Sequence, residues 1–172
     1  MMRAITKSAA LCAIVALAAC TNPNSAGQGG LFGGNSGAAG DVVPGSANDP
    51  RSPAYFQQAI GDRVLFPVDQ STLTDEGRAV LTAQAGWLMT NSDYLAVIEG
   101  HADEQGTREY NLALGARRAN AVREYLIEQG VAGNRLKTLS YGKERPIEIC
   151  SLEACYAQNR RAVTIISAGL TS

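Results

Sequence analysis

The stretch Tyr94-Leu95-Ala96-Val97-Ile98-Glu99-Gly100-His101-Ala102-Asp103-Glu104-Gln105-Gly106-Thr107, followed by a helical pattern from about Arg108 to Gln129, decides the fold. A strand-like run ends at a glycine, a polar loop follows, and a helix opens. Gly130 stops that helix, and Leu136 to Tyr141 reads as the next strand. Strand, helix and strand in this order predict a β-α-β crossover. On the N-terminal side, Arg63-Val64-Leu65-Phe66 reads as a short strand ending at Pro67. Thr74 before Asp75-Glu76 has the form of a helix cap with acidic residues in the first turn. The helix it opens carries Leu81, Ala85 and Leu88 at helical spacing and ends near Asn91. On the C-terminal side, one helical turn at Ala154–Arg160 precedes a last strand, Ala162 to Ile166. The predicted class is α+β, an α/β sandwich of order β-α-β-α-β-β, with helices packed on a mixed four-stranded sheet.

The start of the chain carries a different signal. Arg3 and Lys7 precede an apolar run from Ala9 to Ala19. That run is shorter than the roughly 20 residues a bilayer span needs, so it reads as a secretory leader. Leu17-Ala18-Ala19-Cys20 at its end resembles the lipobox of bacterial lipoproteins; the alternative is an ordinary signal peptide with an incidental cysteine. The resemblance implies that residues 1–19 are removed and that Cys20 carries an S-diacylglycerol and an N-acyl chain. Two or more chains anchor stably where one does not. Thr21 after Cys20, in place of aspartate, is compatible with sorting to the outer membrane by the rule of that family. Residues 20–52 are Gly, Ser, Ala, Asn and Pro with few large apolar side chains, a composition expected of a flexible tether. Its maximum reach is about 110 Å and its root-mean-square span about 30 Å. The folded domain is expected over residues 53–172.

The chain has 172 residues and a net charge of −1. Losing a leader that carries Arg3 and Lys7 takes the charge to −3. Such a protein has no general attraction for nucleic acid or anionic lipid, so any anion it binds must be held locally. Cys12 leaves with the leader, and Cys150 and Cys155 remain beside Cys20. In an oxidising exported compartment that pair is most simply a disulfide, worth about 2 kcal/mol by loop entropy. The metal alternative lacks further ligands nearby.

The second helix holds an anomaly. Tyr110, Leu114, Ala121, Val122, Tyr125 and Leu126 follow the spacing of a buried stripe. Arg118 falls near the middle of it, four residues from Leu114 and four from Val122, with Arg117 at its edge. A guanidinium there must be paired or hydrogen-bonded. One reading is an internal salt bridge; the other is a ligand site. The preceding loop bears on the second, because polar residues at the carboxyl end of a strand are where binding groups collect in α/β sheets. Asp103 suits an amine and Arg118 a carboxylate, and an amino-acid backbone carries both on one carbon.

Gly100-His101-Ala102-Asp103-Glu104, Tyr110-Asn111, Arg117-Arg118-Ala119-Asn120-Ala121-Val122, Tyr141-Gly142-Lys143-Glu144-Arg145-Pro146 and Asn159-Arg160-Arg161-Ala162-Val163 occur in that order. This set resembles the OmpA-like domain of peptidoglycan-associated lipoproteins, over about Arg63 to Ile166. The resemblance implies non-covalent binding of the peptidoglycan stem peptide through meso-diaminopimelate. It implies that Asp103 accepts hydrogen bonds from the ligand amine and that Arg118 clasps its carboxylate. Leu114 matches a ligand contact, Asp69 and Phe66 match positions lining the pocket, and Asn111 and Arg161 match residues that shape or support it. It further implies TolB and the Tol system as partners, and a role in envelope integrity and cell division. The sequence departs from the family pattern at Pro67, often acidic or small, and at Gln105, often arginine.

Two other function classes stand beside this one. His101, the one histidine, lies with Asp103 and Glu104, but a single histidine and two carboxylates make a poor zinc set. No Gly-x-Ser-x-Gly pattern occurs. A cell-wall enzyme is therefore disfavoured, no cofactor or metal is expected, and His101 reads as structural, with its ring satisfied by neighbours. The remaining alternative is a periplasmic protein-interaction module without affinity for the wall. Arg160-Arg161 reads as a supporting pair near Arg118, against the alternative of a solvated basic pair.

Overall fold

The computed structural model describes residues 42–169. The leader, Cys20 and the expected tether as far as residue 41 lie outside the described residues. Four strands, β1 (Arg63–Leu65), β2 (Tyr94–His101), β3 (Leu136–Gly142) and β4 (Arg161–Ala168), form one sheet in the order β1-β4-β2-β3. β2 and β3 are parallel, with Ile98 opposite Thr138, and β4 is antiparallel to both of its neighbours. The sheet is thus mixed, as expected. Four α-helices accompany it: α1 (Pro53–Tyr55), which runs into a π-helical segment Phe56–Gly61, α2 (Asp75–Thr90), α3 (Arg108–Glu128) and α4 (Glu153–Asn159). Among the described residues no helix is long and apolar enough to cross a membrane.

The caps explain where the long helices start. Thr74 Oγ1 accepts from the Gly77 amide at 3.1 Å, and Thr107 Oγ1 from the Tyr110 amide at 3.2 Å. Gly130, at φ +104°, takes the left-handed turn that ends α3. Leu81, Ala85 and Leu88 of α2 pack with Ala96 and Ile98 of β2 and with Ala119, Val122 and Leu126 of α3. Each fully buried leucine of that set contributes on the order of 2 kcal/mol. Backbone meets backbone where Gly100 of β2 faces Gly115 of α3. A Cβ at Gly115 would stand 2.8 Å from the Gly100 carbonyl oxygen. This approach fixes α3 directly over the loop that leaves β2.

Two features differ from expectation. Ordered chain begins before Pro53: successive turns link Val43, Ser46, Asp49 and Ser52, and the Trp87 indole donates to Pro50 O at 2.7 Å. Ser52 is buried and caps α1 by accepting from the Tyr55 amide. The last part of the stretch read as tether is therefore fastened to the domain, because its backbone finds hydrogen-bond partners there. The single turn expected at Ala154–Arg160 is a seven-residue helix, and the segment Pro53–Gly61 adds helix that no long apolar period announces.

Candidate functional site

The loop leaving β2 is folded by its own polar groups. Asp103 Oδ1 accepts from the Gln105 amide at 3.3 Å, closing a tight turn. Asn111 Nδ2 donates to Gln105 O at 2.7 Å, Lys143 Nζ to Gly106 O at 2.7 Å, and the Ala102 amide to Gly142 O at 2.8 Å. With the loop held on three sides, its inner wall and the first turns of α3 enclose a pocket of about 230 Å³. Val68, Asp69, Asp103, Gln105, Gly106, Tyr110, Asn111 and Leu114 line it. That volume suits one amino-acid-sized group.

Four of the expected site residues, Asp69, Asp103, Asn111 and Leu114, therefore share this cavity, although they come from three separate segments. The other three do not line it. Arg118 lies fully buried behind the pocket wall. Its Nε donates to Gln70 O at 2.8 Å, Nη1 to His101 O at 2.8 Å and Nη2 to Pro67 O at 3.1 Å. One guanidinium thus ties the loop after β1 to the end of β2, and its face rests 5.2 Å from the centre of the Phe66 ring. Burial pushes the Arg118 pKa down to about 10, opposed by the Asp103 carboxylate. At neutral pH the group keeps its charge beneath the pocket. Neither expected form of satisfaction is seen: carbonyl oxygens, rather than a salt bridge or an open cleft, hold Arg118.

Phe66 is buried beneath that guanidinium and away from the cavity. Arg161 is buried as well, donating to Arg145 O at 3.1 Å and Asn159 O at 3.4 Å. It supports the loop after β3 and does not reach the pocket. The residue that faces Asp103 is Arg160, whose Nη1 lies 3.2 Å from Asp103 Oδ2. Hydrogen bonds to Glu153 and Asp103 hold its pKa above the usual value although burial opposes them. The sequence carried one signal for it, a double arginine before the last strand.

Tyr110 falls on the spacing of the buried stripe of α3 but is 44% exposed. It sits in the first turn of α3, where its ring lines the pocket and its hydroxyl donates to Asp69. That hydrogen bond raises the phenol pKa. Asp69 itself adopts φ +56°, a left-handed conformation that aspartate tolerates better than most residues. His101 is buried, and its ring stacks on Tyr141 with centres 5.6 Å apart. Neither ring nitrogen has a hydrogen-bond partner among the described residues, so the neighbours pack the ring without satisfying it. Cys150 and Cys155 form the expected disulfide. Cys20 cannot be placed, being outside the described residues.

In chemical terms the cavity offers two carboxylates for a cation, an apolar floor at Leu114 and Val68 for methylene groups, and a positive charge behind one wall. Comparison with known proteins identifies the family. Residues 65–160 match the OmpA family. The chain is 50% identical to a peptidoglycan-associated lipoprotein of Mesorhizobium japonicum, over 92% of this chain and 89% of that one. It is 48% identical to one of Agrobacterium fabrum, over 88% and 82% of the respective chains. Among solved structures, the peptidoglycan-associated lipoprotein of Burkholderia pseudomallei superposes with a TM-score of 0.62 at 39% identity. That match covers 70% of this chain and 98% of the other.

Proposed function

The chain belongs to the OmpA family and, within it, to the peptidoglycan-associated lipoproteins, and on that premise we propose that it ties the outer membrane to the cell wall. In this reading Cys20 carries the N-acyl and S-diacylglycerol lipid in the outer membrane, and the domain faces the periplasm. The pocket takes the meso-diaminopimelate residue of the peptidoglycan stem peptide without covalent chemistry. TolB and the Tol system are its protein partners, and envelope integrity and cell division are what the link serves. The protein acts here as a binder and not as an enzyme.

The observation that carries the reading is the meeting of Asp69, Asp103 and Leu114 in one 230 Å³ cavity backed by Arg118. A ligand ammonium has two carboxylates to choose from, and the methylene chain of the ligand has Leu114 and Val68. Arg118 is buried behind the pocket wall with its three nitrogens on backbone carbonyls, so what it offers a ligand carboxylate is its positive charge across the wall. A clamp of modest affinity suffices, since a lipid in one layer and many copies raise the effective concentration at the wall.

Sedimentation of the protein with purified sacculi tests this. Wild type is expected in the pellet, and free meso-diaminopimelate is expected to release it. Asp103→Asn keeps the size of the side chain but removes its charge, and is expected to weaken binding at least tenfold, since hydrogen bonds to charged groups are worth about 1.5–3 kcal/mol. Binding of Asp103→Asn at wild-type strength would refute the site. Capture of a periplasmic partner with no affinity for sacculi would favour the interaction-module alternative.

A further inference from the structure

Asp103 is not a free carboxylate. Its Oδ2 is engaged by Arg160, which is 4% exposed and also donates Nε to Phe66 O at 3.2 Å. The remaining edge of that guanidinium, Nη2, donates to Glu153. Glu153 is the first residue of α4 and lies between Cys150 and Cys155, inside the ring their disulfide closes. The first turn of α4 closes on the ring itself, the Cys155 and Tyr156 amides donating to Leu152 O at 3.0 and 3.1 Å. Leu152, before it, offers no side-chain cap to α4 and is 67% exposed, and Ile149 is 91% exposed. Asn159, the buried last residue of α4, accepts through Oδ1 from the Ile147 and Glu148 amides and donates to Glu148 O, which ties the far end of the helix to the chain just before the ring.

From this arrangement we infer that the Cys150–Cys155 ring sets the affinity of the Asp103 pocket for an ammonium group, acting through Glu153 on Arg160. The inference rests on the wall-binding reading above and adds a control to it. Arg160 stands between two carboxylates. While Glu153 shares its charge, Asp103 keeps negative potential for a cation entering the pocket. Once Glu153 is released, the buried guanidinium cannot remain half-paired and turns fully to Asp103. A ligand ammonium then meets a carboxylate that is already neutralised. The oxidised form binds the cation more tightly.

Opening the ring is a thiol–disulfide exchange with a dithiol reductant. The reductant supplies two electrons and two protons, its own sulfurs join as a disulfide, and Cys150 and Cys155 become thiols. Glu153 is a positioning residue in this scheme, since it touches Arg160 and not the ligand. Its side chain is 66% exposed, so water screens its pair with Arg160. The expected effect is therefore about three- to fivefold in affinity, the upper part of the range for an exposed ion pair, since one partner here is buried.

The test measures binding of meso-diaminopimelate and of sacculi to the full chain, oxidised and in dithiothreitol, for wild type and Glu153→Gln. Reduction is expected to weaken wild type about three- to fivefold. Oxidised Glu153→Gln is expected to show the same loss, with no further loss on reduction and a melting temperature close to that of wild type. Wild-type affinity that ignores reduction overturns the inference. So does a Glu153→Gln variant that loses as much on reduction as wild type does. A Cys150→Ser, Cys155→Ser chain must match reduced wild type, and high affinity in it also refutes the control. Absence of any binding by the oxidised wild type removes both this inference and the wall-binding reading, whereas binding that ignores Glu153 and the ring removes only this one.

Discussion

Arg118 brings a full charge into the interior and meets no carboxylate within bonding distance among the described residues. Three carbonyl oxygens and an aromatic face satisfy it instead. Arg118→Ala leaves those carbonyls without a donor and opens a void, so it is expected to cost about 3–5 kcal/mol. Arg118→Lys keeps the charge but loses the planar fork, and about 2 kcal/mol, the worth of two hydrogen bonds, is expected. Urea denaturation reads both, and an Ala variant within 1 kcal/mol (about the worth of one hydrogen bond) of wild type would deny the guanidinium its tying role. Asp103 is coupled in a similar way. Asp103→Ala would strip buried Arg160 of one of its two anions. The spacing of α3 placed Arg118 on the core-facing line correctly. Its acceptors were not legible, because Gln70 and His101 lie 48 and 17 residues away and offer backbone atoms that any residue carries.

At the scale of elements, the contact that matters most is the one between β2 and α3. A Cβ at Gly100 would fall inside the Gly115 carbonyl, and neither backbone segment can give way without moving the other. Gly100→Ala is expected to destabilise by about 3 kcal/mol, at the upper end of overpacking. It is also expected to weaken sacculus binding, since Leu114 and Arg118 ride on the displaced helix. A thermal melt and a pull-down check it, and unchanged values in both would mean that the two backbones have room between them. The strands and the two long helices were readable because caps, Gly130 and clear periodicity coincide in them. Tyr110 misled because a helical period continues through the first turn whether or not the sheet still lies beneath it. The pairing of Gln84 with Thr164, at 2.9 Å inside the core, left no trace in the pattern at all. Two polar residues 80 apart look like solvent-facing positions until the fold joins them.

For the whole molecule, His101 gives stability a dependence on pH. Burial lowers its pKa to about 4, and Arg161 and Arg145 push the same way. Tyr141 stacks on the ring, and Glu99, at 3.9 Å, is too distant for a hydrogen bond. The unfolded imidazole takes its proton near pH 6.5. Between about pH 6.5 and 4 the unfolded chain therefore holds more protons, and stability falls as pH drops through that window. Between pH 7 and pH 5 a loss of about 2 kcal/mol from this group is expected. Urea midpoints at the two pH values measure it, and His101→Phe, which keeps a ring against Tyr141, should remove most of the difference. An equal pH response in both proteins would assign it elsewhere. The sequence by itself determined the order of the strands and the two long helices, the mixed sheet, the disulfide pair and the loop that carries Asp103. Local spacing, capping and turn chemistry are enough for these. Only the tertiary structure decided that Arg160 faces Asp103, that Arg118 sits behind the pocket, and that Phe66 and Arg161 stay out of it. Those outcomes depend on which distant backbone groups need a donor once the core has closed, and no local pattern records that need.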